Sequence, residues 1–449
     1  MKKRKGKYDT RNKLNNLTGS EWLSNSTSIW TSEGKDELEV KDFRKLIELF
    51  TKEKSTVGII DFKIKQKSIS GRKILQEIKD KKESLDYLII NDPLLKSNNI
   101  IGANKDLFHK LNVVIENKKS LKLNKYVSFY INESIIDGTN LNVSYYIHEA
   151  MRNNGFRFKG RVNVISQENN VGNILHFKLV DPEQNQELPK KYFKKNSSKK
   201  INIPSELNAL RSKVKTDEIG KRHPAPFSPI DVEKLISHFT KEGDTVLDPF
   251  VGVGSTTLAA INTNRKSIGI DLNEEYIDLA HKRTGIKNKE KNHKLIVGNS
   301  LKEITKLTEF DYCITSPPYH NILKNKGAGV RHDNSQFRQG IDYYSENSED
   351  LGNQESLNSY REFFQKIIME TFKKLKHGSF LSIVVSDFTV ERVEQDIVGQ
   401  LISDIEKTGF IFKKNIILTQ NFKAIFPFGY PYDYVINHVN QYIVNFYKK

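Results

Sequence analysis

The 449-residue sequence predicts an α/β protein whose C-terminal half is a doubly wound parallel half-sheet, preceded by an additional α/β domain. Three observations carry this. Short apolar runs, Val246-Leu247, Ile268-Gly269-Ile270, Leu295-Ile296-Val297 and Tyr312-Cys313-Ile314, alternate with helix-length amphipathic segments. The first run opens into a glycine-bearing turn, Asp248-Pro249-Phe250-Val251-Gly252-Val253-Gly254-Ser255, and the second ends in an acid, Asp271. The run through Thr315 empties into Ser316-Pro317-Pro318-Tyr319, where the prolines forbid both helix and ladder pairing, so the strand must end there.

Composition bounds the rest. The length admits two domains, and 37% apolar residues suffice for a core. Lys and Arg outnumber Asp and Glu by 72 to 55, a net charge of +17 that favours a polyanionic partner; lysine-rich composition alone is the bland account of the same number. The one cysteine, Cys313, excludes an internal disulfide and a multi-cysteine metal site, and its place inside an apolar strand makes it a core residue. No apolar run approaches the ~18 residues of a membrane span, and the lysine-rich start lacks the apolar segment of a signal peptide. A soluble, cytoplasmic protein without a metal centre is expected.

Residues 1–39 read as a basic arm followed by a segment holding Trp22 and Trp30, which are expected to pack on the domain beside them rather than stack on bases. Residues 40–180 alternate strand-like and helix-like segments: a strand over 58–62, a helix over 73–82, and a strand over 85–90 leading to Asn91-Asp92-Pro93. The last resembles the run from Phe310 into Ser316-Pro317-Pro318. Further on, Tyr126 to Glu133 stands opposite Phe380 to Asp387, and Gly155 to Lys159 opposite Gly409 to Lys413, at one constant offset. Either the domain is a degenerate copy of the C-terminal half or this is the common rhythm of α/β units; a copy requires the same strand order and connectivity. Residues 181–220 read as a basic linker, with Lys190, Lys191, Lys194, Lys195, Lys199 and Lys200, ending in a partly helical connection.

Residues 221–449 form the third division. Ser228 and Pro229 are the N-cap and first residue of a helix through Leu235, Ile236 and Phe239. Strand 245–247, helix 258–262, strand 267–270, helix 274–284 and strand 294–297 follow, the last ending at Gly298-Asn299-Ser300. Beyond Tyr319 a long polar segment, 320–351, carries Lys324, Lys326, Arg331 and Arg338, as functional loops do. Helix 357–376, strand 380–385, helix 393–407 and strands 411–418 and 441–446 complete the sheet.

A glycine turn after a strand, a helix N-terminus and an acid 23 residues after Asp248 suit an adenosine-containing cofactor. A carboxylate at Asp248 would repel a pyrophosphate but suits a ligand bearing ammonium and sulfonium groups.

In that order, His223 to Pro229, Leu247 to Ser255, Gly269-Ile270-Asp271 and Thr315 to Tyr319 resemble motifs X, I, II and IV of the DNA amino-methyltransferases, which methylate N4 of cytosine or N6 of adenine. The resemblance covers residues 221–449. It implies a Rossmann-like seven-stranded methyltransferase sheet, S-adenosylmethionine as cofactor, double-stranded DNA as substrate, and a cognate restriction endonuclease as partner. By the same resemblance, Phe227 and Ser228 would contact the methionine end of the cofactor, Asp248 its ammonium, and Asp271 its ribose. Phe250, Gly252, Gly254, Ser255 and Thr315 would shape its pocket, while Asn299 stands where the family usually has an acid. Ser316 and the carbonyl of Pro317, held by Pro318, would accept hydrogen bonds from the target amine, and Tyr319 would stack on the flipped base. A serine before the two prolines accompanies cytosine more often than adenine; N6 of adenine stays open. An RNA or protein-glutamine substrate, or a non-catalytic DNA-binding fold, are the readings from other classes. With the sheet completed near Phe446, sequence recognition is expected from residues 1–200, from the 320–351 loop, or from both.

Overall fold

Tyr312, Cys313 and Ile314 are fully buried, and a strand apolar on both faces can only lie inside a sheet covered on both sides. The computed structural model describes residues 9–33, 38–60, 66–76, 84–91, 99–132, 134–136, 139–193, 203–212, 217–223, 227–286, 291–320, 347, 349–390, 393–420 and 422–449. It divides into two units. The first comprises Met1–Ala209, Asp387–Gly399 and Phe422–Asn440; the second comprises Leu210–Ser386, Gln400–Asn421 and Gln441–Lys449.

The sheet of the second unit runs Ala209–Arg211, Ile411–Thr419, Asn440–Tyr447, Leu375–Val385, Phe310–Thr315, Thr245–Asp248, Lys266–Asp271 and His293–Val297. All seven expected strands are present, joined at one edge by the short strand Ala209–Arg211. From Leu375–Val385 to His293–Val297 neighbouring strands are parallel; Asn440–Tyr447 is antiparallel to Leu375–Val385. The chain order reverses between Thr245–Asp248 and Phe310–Thr315, which opens a crevice at their C-terminal ends, the usual ligand position in such sheets.

Local chemistry sets the helices. Pro229–Phe239 starts at Ser228 with proline in its first turn, as expected. The Asn273 side chain accepts from the Glu275 amide at 2.9 Å to open Glu274–Thr284, and Gly285, left-handed at φ 72°, closes it. Leu357–Lys374 is capped by Ser356 and buries Tyr360, Phe364, Ile367, Ile368 and Thr371, one face at helical spacing. The helix expected over 393–407 is split: Val393–Gln395 pairs with Phe388–Val390, and only Ile397–Glu406 is helical.

The first unit has its own sheet, ordered Ile29–Thr31, Phe156–Ile165, Val171–Leu179, Leu121–Asn132, Leu85–Asn91, Thr56–Ile60, Arg72–Leu75 and Ser68–Ile69. One apolar layer contains Trp22, Phe43, Phe50, Tyr87 and Tyr434; another contains Leu88, Leu107, Phe129, Phe158 and Phe177. Each fully buried side chain of this size contributes about 1.5–3 kcal/mol. Both tryptophans are buried core residues, as expected, so the segment after the basic arm is no appendage.

Three other expectations change. The helix expected over 73–82 begins as a strand, Arg72–Leu75, because Lys73, Ile74 and Leu75 pair in parallel with Thr56, Val57 and Gly58; residues 77–82 lie outside the described residues. The boundary at 180 moves, since Leu188, Tyr192 and Phe193 are buried in the first unit and Asn104 Oδ1 accepts from the Tyr192 and Phe193 amides at 2.5 and 2.8 Å. Lys190 and Lys191 are exposed, whereas Lys194, Lys195, Lys199 and Lys200, Asp92 and Pro93, the arm 1–8, Pro224 to Pro226, and Lys324, Lys326, Arg331 and Arg338 fall outside the described residues. Finally, 221–449 is not one contiguous domain, for 387–399 and 422–440 belong to the first unit.

A buried charge cluster holds the first of these segments. Arg161, on strand Phe156–Ile165, donates to Asp396 Oδ1 and lies 3.8 Å from Asp387 Oδ2, with all three side chains at most 2% exposed. Burial pushes Asp387 up to about 6, against the lowering influence of Arg161. Removing the guanidinium leaves carboxylates buried without a counter-charge. Arg161→Met is therefore expected to destabilise the first unit by roughly 3–5 kcal/mol at pH 8, and by less below pH 6, where the orphaned carboxylates protonate. Urea unfolding followed by tryptophan fluorescence checks this, because Trp22 and Trp30 both lie in this unit.

Candidate active site at the strand ends

The site is built on a buried carboxylate. Asp248 ends strand Thr245–Asp248, 4% exposed, and accepts from Thr315 Oγ1 at 2.7 Å, the Phe250 amide at 3.0 Å and Thr256 Oγ1 at 2.5 Å. Burial pushes it up to about 6, and these donors pull the other way. One side chain thus ties together the glycine turn, the helix Ser255–Asn262 and the end of the strand leading into Ser316-Pro317-Pro318.

The glycines let the turn close. Gly254 is left-handed at φ 82°, and a Cβ there would stand 3.0 Å from Ala280 Cβ. Gly252, at φ 51°, holds a conformation strained for any other residue, and a Cβ there would crowd His223 Nε2 at 3.1 Å. The Gly252 amide donates to Asp271 Oδ2 at 2.8 Å, and the Asn273 amide to Asp271 Oδ1 at 2.9 Å. Asp271 keeps some exposed area but sits deep against the protein; burial, with repulsion from Asp350 and Asp248, pushes it up to about 7.

These elements surround a cleft of about 680 Å³, open to solvent on one side and lined by Phe250, Asp271, Leu272, Tyr276, Asn299, Ser300, Ser316, Pro317 and Pro318, with His223, Glu349, Asp350, Leu351, Phe363 and Ile367 completing the wall. Of the residues singled out from the sequence, Phe250, Asp271, Asn299, Ser316, Pro317 and Pro318 line it. Asp248, Thr315 and Ser255 are buried and stand outside the lining; the Ser255 hydroxyl accepts from Arg283 at 2.9 Å, and Arg283 is itself paired with Asp217. Phe227, Ser228, Gly252 and Gly254 are not among the lining residues. Tyr319 is not either: it is 8% exposed, and its hydroxyl accepts from the Gln441 side-chain amide at 3.2 Å.

Asn299 has both polar groups engaged. Its Oδ1 caps helix Ser300–Glu303 through the Leu301 amide at 2.9 Å, and its Nδ2 donates to Glu349 at 3.0 Å. Acids beside this position come from Glu349 and Asp350, near the end of the polar segment 320–351, which no spacing from Asp271 discloses. Tyr276, whose ring is 4.9 Å from that of His223, was signalled only by nearness to Asp271 in sequence, whereas His223 opens the stretch that resembles motif X. Phe363 and Ile367 follow the i, i+4 spacing that marked their helix, a pattern that cannot separate a core face from a cleft wall.

A glycine turn, a strand-terminal acid and a Ser-Pro-Pro loop meeting at the switch point of an open α/β sheet define a class of enzyme that holds an adenosine-type cofactor against an amine-accepting loop. The DNA methylase family model for N6 and N4 enzymes matches residues 18–282 and 310–449, and the chain belongs to this family. The type II methyltransferase M2.DpnII of Streptococcus pneumoniae is 27% identical over 233 residues, 47% of this chain and 86% of that protein. M2.LlaDCHI of Lactococcus lactis subsp. cremoris is 26% identical over 234 residues, 47% and 85% of the two chains. The orphan methyltransferase M.BamHII of Bacillus amyloliquefaciens is 43% identical over 67 residues, 15% of this chain and 25% of that protein. Among solved structures, a TehB-like SAM-dependent methyltransferase from Corynebacterium glutamicum aligns with 50% of this chain and 90% of its own, at 14% identity and a TM-score of 0.30.

The methyl donor of this family is S-adenosylmethionine, and the residues present fit it. Asp271 lines the cleft with a carboxylate at the strand end, Phe250 and Tyr276 give it aromatic walls, and the left-handed Gly252 and Gly254 let the adjoining turn close. Ribose hydroxyls donate more strongly to an ionised carboxylate than to a neutral one. With Asp271 at about 7, cofactor affinity is expected to rise roughly tenfold from pH 6 to pH 8, and Asp271→Asn to flatten that dependence as well as weaken binding. Calorimetric titration at several pH values measures both.

Proposed function

We propose that this DNA methylase acts on N4 of cytosine within a specific sequence of duplex DNA, the base being turned out of the helix into the cleft. The observation that carries the reading is Ser316 in the cleft wall with Pro317 and Pro318 beside it. An exocyclic amine is a poor nucleophile because its lone pair is delocalised into the ring. The Ser316 hydroxyl and the Pro317 carbonyl accept its protons and draw the lone pair back onto nitrogen; Pro318, having no N–H, leaves that carbonyl without a local donor. When bound, S-adenosylmethionine supplies a methyl group on a positively charged sulfur. Asp271 holds the ribose, and Phe250 and the glycine turn shape the pocket. Asp248 and Thr315 keep the amine-accepting loop in register with that pocket. Tyr319, its hydroxyl held by the Gln441 side-chain amide, serves as the stacking platform for the flipped base.

Serine rather than an acid or amide before the two prolines supports cytosine, and the type II names of the relatives support a modification enzyme with a cognate endonuclease. The net charge of +17 supports DNA contact, which we assign to the first unit together with the segment after Tyr319. Transfer of tritiated methyl groups to duplex DNA, RNA and protein, with nucleoside analysis of the product, tests the reading. N4-methylcytosine in DNA is expected; N6-methyladenine would overturn the choice of base, and label in RNA or protein alone the choice of substrate. Ser316→Ala should lower kcat about 10²-fold while leaving cofactor affinity unchanged, since the hydroxyl acts on the amine.

A further inference from the structure

The two sheets share one topology. Strand for strand, Ile29–Thr31 takes the place of Ala209–Arg211, Phe156–Ile165 of Ile411–Thr419, Val171–Leu179 of Asn440–Tyr447 and Leu121–Asn132 of Leu375–Val385. Beyond these, Leu85–Asn91 matches Phe310–Thr315, Thr56–Ile60 matches Thr245–Asp248, and Arg72–Leu75 matches Lys266–Asp271. Chain order and strand direction agree as well: three successive parallel pairs, then an antiparallel one. Even the irregularity recurs, between Leu85 and Tyr87 in one sheet and Phe310 and Tyr312 in the other.

Topology alone is common property of α/β units; side-chain networks are not. Asp86 accepts from the Thr56 amide at 3.1 Å and Lys122 Nζ at 2.9 Å, and Asp311 from the Thr245 amide at 2.9 Å and Lys376 Nζ at 2.6 Å. Tyr87 donates to Ser128 at 2.6 Å, which meets His176 at 2.7 Å; Tyr312 donates to Ser382 at 2.7 Å, which donates to Asn445 at 2.6 Å. Arg72 binds the hydroxyl and carbonyl of Thr51 at 3.2 and 2.9 Å, and Arg265 those of Thr240 at 3.0 and 2.8 Å. Ser32 donates to Asp42 at 2.9 Å, and Ser212 to Asp231 at 2.6 Å. Phe50-Thr51-Lys52-Glu53 repeats as Phe239-Thr240-Lys241-Glu242.

What the first copy lacks is one functional set. Ile59, fully buried, stands at the position of Asp248. The sequence after it, Asp61-Phe62-Lys63-Ile64-Lys65, has no glycine. The helices Ser255–Asn262 and Glu274–Thr284 and the strand His293–Val297 have no counterpart among its described residues, and Asn91 replaces Ser316.

We propose that the chain is an internal duplication whose first copy has been emptied of its cofactor site, so that the two-copy protein binds a single S-adenosylmethionine, in the second copy. This rests on the methyltransferase reading. Equilibrium dialysis of the full-length protein with radiolabelled S-adenosylmethionine is expected to give one equivalent per chain, and none for Asp271→Ala. Two equivalents, or one surviving in Asp271→Ala, would overturn the proposal. Photo-crosslinking of the labelled cofactor to the wild-type chain, followed by peptide mapping, reads the same point without a variant: label within 245–320 supports it and label within 40–180 refutes it. A wild-type chain that binds no cofactor would instead overturn the methyltransferase reading beneath it.

Discussion

The Asp248 carboxylate is the constraint on which the site depends. It is buried where an ion is costly, and it is kept there by two hydroxyls and one amide drawn from three different elements. Hydrogen bonds to a charged group are each worth about 1.5–3 kcal/mol, so the arrangement fixes the glycine turn and the Ser-Pro-Pro loop against one another more firmly than apolar packing could. Asp248 is buried and pins these elements to one another without lining the cleft. Asp271, one strand over, lines the cleft, and its high affinity for a proton follows first from burial and then from repulsion by Asp350 and Asp248.

The parts legible in the sequence were those set by local chemistry. Two prolines after an apolar run must end a strand, and Asp271 at the end of the next run must reach the sheet edge, so both ends of the cleft were readable. The same holds for Ser228 and Pro229 at the start of their helix. Illegible were the residues brought in from a distance: Glu349 and Asp350, near the end of a long polar segment, and Phe363 and Ile367, whose spacing fits a core face equally well. The Arg72–Leu75 strand failed for a related reason, since lysine and leucine favour helix locally and only the partner strand Thr56–Ile60 overrides them. Tyr319 shows the limit of a motif: its identity was readable, its engagement with Gln441 was not.

The comparison of the two sheets separates what holds a fold from what uses it. The tyrosine–serine pairs, the arginines on Thr51 and Thr240 and the Asp–Lys bridges are preserved in both, and several are buried, where losing one partner leaves an unsatisfied polar group. The glycines and acids of the cofactor cradle carry no such penalty. Glycine in a tight turn and a buried acid are liabilities to stability, and a copy with no ligand to hold is free to replace them with Lys63 and Ile59.

The segment 422–440 lies between two strands of the second sheet yet belongs to the first unit, where Tyr434 packs beside Trp22 and Phe50 with no exposed surface. A chain is made from its N-terminus, and domains ordinarily fold in that order. Here the first unit cannot close its core until Tyr434, far along the chain from its own strands, has been added. Until then the surfaces of Trp22, Phe50 and Tyr126 that meet Tyr434 wait uncovered.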